Sequence, residues 1–240
     1  FLDREYLAGR DGGKRVERIG RAERWKKPRR TDAASAAEEG DEGASVMVSW
    51  LLGDNARGGE STLLSLIVDI LLGSSGCPLY RAIAESDLGS DLSSESGMCS
   101  SYRDLVFSAG FSGASAEEAE RIEEYLLESL RRIVDEGFDR KAIEAAIRRM
   151  EFSLKEIPGG MPMGMRLFFQ AEKGLTFGTD IDRFLSPSAI IREIRDAWES
   201  DPRFFEHWIE RNLISNPHRL LAVVRKDPEE QGRIYSSISS

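Results

Sequence analysis

From Val46 to Leu52 the chain reads Val-Met-Val-Ser-Trp-Leu-Leu, a nearly continuous apolar run rich in strand formers. Such a run predicts a strand covered by helices. Gly53 to Gly59 reads as a loop. Ser61-Thr62 then offers an N-cap for a buried helix over Leu63 to Leu72 that stops at Gly73. Ser74-Ser75-Gly76 turns the chain, and Pro78 suits the first turn of a short helix reaching about Ser86, since it has no amide hydrogen to leave unpaired. Leu105, Phe107, Ala109 and Phe111 alternate with Val106, Ser108 and Gly110, the two-residue period of a strand. An irregular strand or hairpin arm is expected before it, between Ser90 and Tyr102.

The second half is more helical. Ser115-Ala116-Glu117-Glu118 has the form of a capping box. Behind it Ala119, Ile122, Leu126, Leu130 and Ile133 step along one helical face as far as Gly137. Asp139 is positioned to cap a second helix with Ile143, Ala146, Ile147, Met150 and Leu154 inward, broken at Pro158-Gly159-Gly160. Met161 to Gly178 mixes glycine with apolar residues and predicts a short helix between irregular ends. Ser186-Pro187 and Asp201-Pro202 open helices carrying Ile190, Ile191, Ile194 and Trp198, then Phe205, Trp208, Ile209 and Leu213. Arg219 to Lys226 is a final strand. Helices grouped between few strands predict an α+β fold, a two-layer sandwich whose largely antiparallel sheet carries helices on one face.

Composition sharpens this. The 240 residues are 40% hydrophobic, enough for a real core, and the net charge of −9 argues against general nucleic-acid binding by phosphate neutralisation. Leu63 to Gly73, interrupted by Ser65 and Asp69, falls short of the roughly 20 residues a membrane span needs. The charge is uneven. Residues 1–30 hold eleven Lys/Arg against five Asp/Glu, a net +6, which leaves −15 on the rest. We read 1–30 as a basic interdomain connector. Within it, Arg24-Trp25-Lys26-Lys27-Pro28-Arg29-Arg30 either packs Trp25 onto the domain or meets an anionic partner. Thr31 to Ala44 holds five acids, two glycines and no side chain larger than Glu, so it reads as an acidic disordered insertion. The α+β domain then spans 45–228, and 229–240 is a C-terminal tail. The chain opens at Phe1 without Met or a signal-peptide pattern, which reads as a piece of a longer protein.

Candidate chemistry is sparse. Cys77 and Cys99 look like ordinary thiols and lack metal-site spacing. His207-Trp208-Ile209-Glu210 reproduces four positions of the inverted zinc motif His-x-x-Glu-His, but the fifth is Arg211, a permanent cation that cannot ligate. His218 lies beyond Pro217, off that helix. No Gly-x-Ser-x-Gly, G-x-G-x-x-G or G-x-x-x-x-G-K-[ST] occurs. The acidic positions Glu117, Glu118, Glu120, Glu123, Glu124 and Glu128 read most simply as a solvated helix side, with a cationic-peptide surface as the alternative.

Taken in order, several segments resemble one family. Leu72 to Asp91, with Gly76-Cys77-Pro78-Leu79-Tyr80 and Glu85-Ser86-Asp87-Leu88-Gly89, is similar to a segment of the presequence-protease/falcilysin-type branch of the insulinase/pitrilysin zinc peptidases. There the usual form is Ser-Pro-Leu/Phe-Tyr, a short helix, then Glu-Ser-Gly-Leu-Gly. Phe107-Ser108-Ala109-Gly110-Phe111-Ser112-Gly113 resembles its Phe-Ser-x-Gly-Leu-x-Gly strand. Glu136-Gly137-Phe138-Asp139, Ile143-Glu144 and Met150-Glu151-Phe152 resemble its Glu-Gly-Phe-Asp, Ile-Glu and Ile-Glu-Phe pattern. Asn216-Pro217-His218-Arg219 resembles its Asn-x-His-Arg strand, and Trp25-Lys26-Lys27-Pro28 its interdomain Trp-x-Lys-Pro. Departures are Cys77 for the usual Ser, Asp87 for the usual Gly, the acidic stretch 31–44 and a short 157–183.

The resemblance covers about Trp25 to Pro228 and matches the family's second domain, not its first. It implies four related α+β domains closing around a chamber that admits unfolded peptides, with zinc in the first domain. It therefore implies no catalytic, metal or cofactor-binding residue here, and a structural His218. Zinc is expected only in the catalytic domain of the parent. The implied partners are that domain, the other domains of the parent chain and unfolded peptides such as targeting presequences. No nucleic acid and no membrane span are expected. The implied function is a non-catalytic chamber domain, inactive by itself; the alternative is a stand-alone inactive interaction module with the same fold. The compartment stays unassigned: mitochondrion or plastid by resemblance, cytoplasm as the alternative.

Overall fold

The core is built where two long strands alternate in phase. The computed structural model describes residues 20–36, 43–155, 162–177, 179 and 181–227. Strand β2 (Ala44–Asp54) points Val46, Val48, Trp50 and Leu52 inward. Its antiparallel neighbour β5 (Asp104–Ala114) adds Leu105, Phe107, Ala109 and Phe111 to the same face. Val48 sits opposite Ala109 and Trp50 opposite Phe107, so large and small side chains share the layer. The opposite face is half-buried; there Ser49 and Ser108, also paired, join their hydroxyls at 2.8 Å.

The six-stranded sheet has the order β1-β6-β2-β5-β3, with β4 also pairing β5. β1 is Arg29–Ala36, β3 Asp91–Leu92, β4 Gly97–Cys99 and β6 Arg219–Asp227. Every pairing is antiparallel except β1 with β6. The largely antiparallel sheet of an α+β fold is what the pattern predicts, and the short β3 and β4 are the irregular arm expected before β5. Gly110 allows the tight β2–β5 approach: a Cβ there would lie 2.2 Å from the Val46 carbonyl oxygen.

The helices are α1 (Gly58–Leu72), α2 (Pro78–Ala84), α3 (Ala119–Glu136), α4 (Arg140–Lys155), α5 (Met163–Phe177), α6 (Ile181–Leu185), α7 (Pro187–Ser200) and α8 (Phe204–Ile209). A π-turn over Glu210–Ile214 continues α8. α1 and α3 pack on the sheet, and α7 and α8 close around them. On α3, Ala119, Ile122, Leu126, Leu130 and Ile133 are buried, which is the face read from the sequence. Ion pairs tie the layer together: Arg149 to Asp69 at 2.7 Å and Arg195 to Glu151 at 2.9 Å. At the end of α3, Gly137 takes φ +74°, and the Phe138 amide donates to the buried Glu206 carboxylate at 2.9 Å.

Four expectations change. Residues 29–36, placed partly in a disordered insertion, form β1 and pair along their whole length with β6. The composition argument weighs side-chain burial, whereas an edge strand is held by its backbone ladder and by charge. Asp32, between Arg30 and Arg225, has its carboxyl lowered to about 2 by hydrogen bonds from those two guanidinium groups. Residues 37–42 of that insertion lie outside the described residues, as do 1–19 of the connector and the 229–240 tail. The capping box at Ser115 does not form: its hydroxyl donates to Glu117 at 2.8 Å, and a 3₁₀ turn over Ala116–Glu118 precedes α3. α1 begins at Gly58, three residues before Ser61, so the Ser61 and Thr62 hydroxyls donate back to the Gly58 carbonyl. α5 is a full helix of 15 residues, not a short one.

Candidate functional site

The β2–β5 ladder breaks between Leu51 and Asp54, and this break organises a polar region under the N-terminal strap. It frees the carbonyls of Leu51 and Leu52, which need donors from elsewhere. The strap at residues 20–28 supplies them. Arg24 donates to both carbonyls, Arg21 donates to Leu52 at 2.9 Å, and the Asn216 amide donates to Leu51 at 3.1 Å. Asp104, 4% exposed at the start of β5, accepts from Arg21 Nε and from the Ala22 amide, both at 2.7 Å.

One residue further on, the Trp25 indole stacks on His218 with centroids 4.3 Å apart and planes 12° apart. The Arg29 guanidinium covers the outer indole face at 4.3 Å. The Trp25 amide donates to His218 Nδ1 at 2.9 Å. Nδ1 is therefore an acceptor, and the ring is neutral with its proton on Nε2. Electrostatics agree: burial, then the Arg24 charge, push the His218 pKa below its ordinary value. His218 is also fixed by its backbone, donating to Asn216 Oδ1 at 2.9 Å and accepting from the Leu51 amide at 3.1 Å. Of the two sequence readings of the basic run, packing of Trp25 onto the domain is the one seen.

Between the strap and the π-turn lies a cleft of about 680 Å³. Arg21, Arg24 and Trp25 form one wall; Trp208, Arg211 and Asn212 form the other. The π-turn is closed by the Ser215 amide donating to the Glu210 carbonyl at 2.9 Å, five residues back. Burial and the neighbouring Arg21 lower the Arg24 pKa, a sign of crowded positive charge.

The remaining sequence candidates fall apart in space. His207 is exposed on α8 and bonds Asp201 at 2.8 Å, while His218 is buried at the start of β6. Arg211 faces the cleft. Among the described residues, no three His, Cys, Asp or Glu side chains gather as a metal ion would require. Cys77 and Cys99 are free thiols, the first donating to the Asp69 carbonyl at 3.3 Å. Of the acidic positions, Glu118, Glu120 and Glu123 are paired, with Arg121, Arg30 and Arg219. Asp104 and Trp208 were not singled out from the sequence for this site. The Arg-x-x-Arg-Trp spacing of Arg21, Arg24 and Trp25 was visible, but its buried acceptor lies 83 residues from Arg21.

Comparison with known proteins identifies the family of the chain. The chain is 30% identical over 189 residues to presequence protease 1, chloroplastic/mitochondrial, of Arabidopsis thaliana, covering 77% of this chain and 17% of that protein. It is 26% identical over 207 residues to the mitochondrial presequence protease of Mus musculus, covering 85% and 20%. The chain thus spans about a fifth of the length of these relatives. Among solved structures it superposes with the peptidase M16 inactive domain from Pseudomonas fluorescens at TM-score 0.58 and 14% identity, covering 88% of this chain and 47% of that one. An inactive peptidase domain from Bordetella parapertussis gives TM-score 0.62 and 13% identity, covering 80% and 95%. The sequence pattern of the Peptidase M16 inactive domain matches residues 5–150, more than half of the chain, and this chain belongs to that family.

Proposed function

We propose that this chain is a non-catalytic domain of a larger zinc metalloendopeptidase that degrades unfolded peptides, and that it helps wall the chamber in which they are cut. The observation that carries the reading is the combination of an inactive-domain match over residues 5–150 with relatives, named as presequence proteases, about five times longer than the matched region. A closed chamber selects substrates by geometry, admitting only chains thin enough to enter an opened form. In this reading zinc belongs to the catalytic domain elsewhere in the parent, whose other domains are this chain's partners. The relatives' names support a mitochondrial or plastid setting. In this reading the chain ahead of β1 joins the domain to its neighbour, and the described residues from β1 to β6 form its body.

The test is turnover of a fluorogenic, unfolded presequence-like peptide by the 240-residue chain, with and without added zinc. No turnover is expected in either case; chelator-sensitive turnover would overturn the reading. A stand-alone interaction module is the second reading, favoured by the outward apolar residues of α5, where Phe168, Phe169 and Leu175 are each more than half exposed. Intact mass and zinc content of the native protein separate the two. A chain several times larger than 26.8 kDa with about one zinc supports the first reading, and a metal-free chain near this mass supports the second.

A further inference from the structure

The cleft between the strap and the π-turn holds more positive charge than the strap needs. Arg21 and Arg24 are committed to Asp104 and to the freed carbonyls of Leu51 and Leu52. The Arg211 side chain has neither a hydrogen bond nor an ion pair among the described residues, although it lines the same cleft. Glu60 is the acid on the lining, and it is already occupied: its carboxylate accepts from the Asp54 amide at 2.5 Å and from Arg57 at 3.4 Å. Arg24 is crowded by burial and by Arg21, a situation that an added negative charge relieves.

The rest of the lining is also that of a binding site. Trp208 and the edge of Trp25, whose two faces are covered by His218 and Arg29, provide aromatic surface, and Asn212 and Ser215 also line the cleft. The π-turn brings Arg211, Asn212 and Ser215 to the one cleft. Such turns recur where side chains must be re-aimed at a site. The volume, about 680 Å³, falls within the range of small-ligand sites, roughly 300–1,000 Å³.

We propose that this cleft binds a carboxylate carried next to an apolar or aromatic group, as at the C-terminal end of a peptide, with Arg211 pairing the carboxylate and Trp208 and the edge of Trp25 lying beside the apolar part. A guanidinium holds a carboxylate through two parallel N–H donors, and the indole of Trp208 adds apolar contact beside it. The site carries no chemistry of its own. It extends the function proposed above without depending on it, because a chain with no peptidase activity either has this binding site or lacks it.

The protein contains its own reporter. Of its four tryptophans, Trp50 and Trp198 are in the core, so a ligand in the cleft changes the emission of Trp25 and Trp208. The 240-residue chain is titrated with N-acetylphenylalanine, with its uncharged amide and with inorganic phosphate, at low and at physiological salt. Saturable quenching by the carboxylate is expected, weaker at higher salt. The amide is expected to bind at least about tenfold more weakly, as fits loss of a hydrogen bond to a charged group. Arg211→Gln, exposed and free of structural partners, is expected to show the same loss while keeping the parent's circular dichroism and melting temperature. Three results overturn the site: no saturable response, equal binding of acid and amide, or unchanged binding by Arg211→Gln. Phosphate binding as tightly as N-acetylphenylalanine reduces it to an unspecific anion patch and also overturns the proposal.

Discussion

At the scale of single residues the strap depends on the state of one ring. His218 accepts the Trp25 amide at Nδ1 and lies flat beneath the indole, and the hydrogen bond needs a neutral imidazole. The charged groups around it are mixed in sign. Arg24 and Arg29 oppose its protonation and Asp104 favours it, with Arg21, Arg211 and Glu60 further along the same cleft. Burial and Arg24 prevail, so its folded pKa lies below the ordinary 6.5. The sign of the pH dependence follows. Above 6.5 both folded and unfolded states are neutral and the contribution is fully present. As pH falls through 6.5 the unfolded chain takes up the proton first, and stability is lost until the folded ring also titrates. Urea unfolding at pH 7.5 and 5.5 measures this. The wild-type chain should lose more stability over that interval than His218→Gln, which cannot titrate; equal losses would remove His218 as the cause. None of this was legible at position 218 alone. The family resemblance suggested a structural histidine, but the ring's partner, Trp25, lies 193 residues earlier, and local patterns carry no information over that distance.

At the scale of elements, legibility followed periodicity. β2, β5, α3, α4 and α7 each bury one face, so the apolar spacing of their sequences named them. β1 buries little, its residues running from exposed at Arg29 to half-buried at Ala36, and so it leaves no apolar trace. It exists because β6 offers an open edge whose backbone groups need partners. The capping box at Ser115 failed for the opposite reason: the local signal was present, but the hydroxyl found Glu117 first. The β1 account predicts a strict alternation. In an edge strand, successive amides point alternately to the neighbour and to solvent, so proline is costly at one site and mild at the next. Of Ala33→Pro and Ala34→Pro, one should lower the free energy of unfolding by about 1–2 kcal/mol and the other by clearly less. Denaturant midpoints of the two variants measure it. Equal, negligible effects would mean that β1 is not paired in solution.

At the scale of the molecule, the question is whether residues 20–36 are a tether leading to the domain or part of the folded unit. Strap and strand together fill the gap in the β2–β5 ladder, cover His218, hold the buried Asp104 carboxylate and complete one edge of the sheet. Removing them leaves the carbonyls of Leu51 and Leu52 short of their arginine donors and exposes β6 as a long edge rich in Leu, Ala and Val. Both losses point the same way. A chain beginning at residue 37 should melt about 10 °C or more below the 240-residue chain, corresponding to a loss of roughly 3–5 kcal/mol for a domain of this size. It should also self-associate through the uncovered edge, which sedimentation or light scattering would register. If the shortened chain instead melts with the parent and stays monomeric, residues 20–36 are only a leash, free to let this domain swing against whatever precedes it. If it fails as expected, residues 20–36 are built into the folded unit, and a pull on them reaches β6, His218 and the cleft through fixed contacts. A neighbour joined through residues 20–36 would then move with this domain, with the strap as the joint.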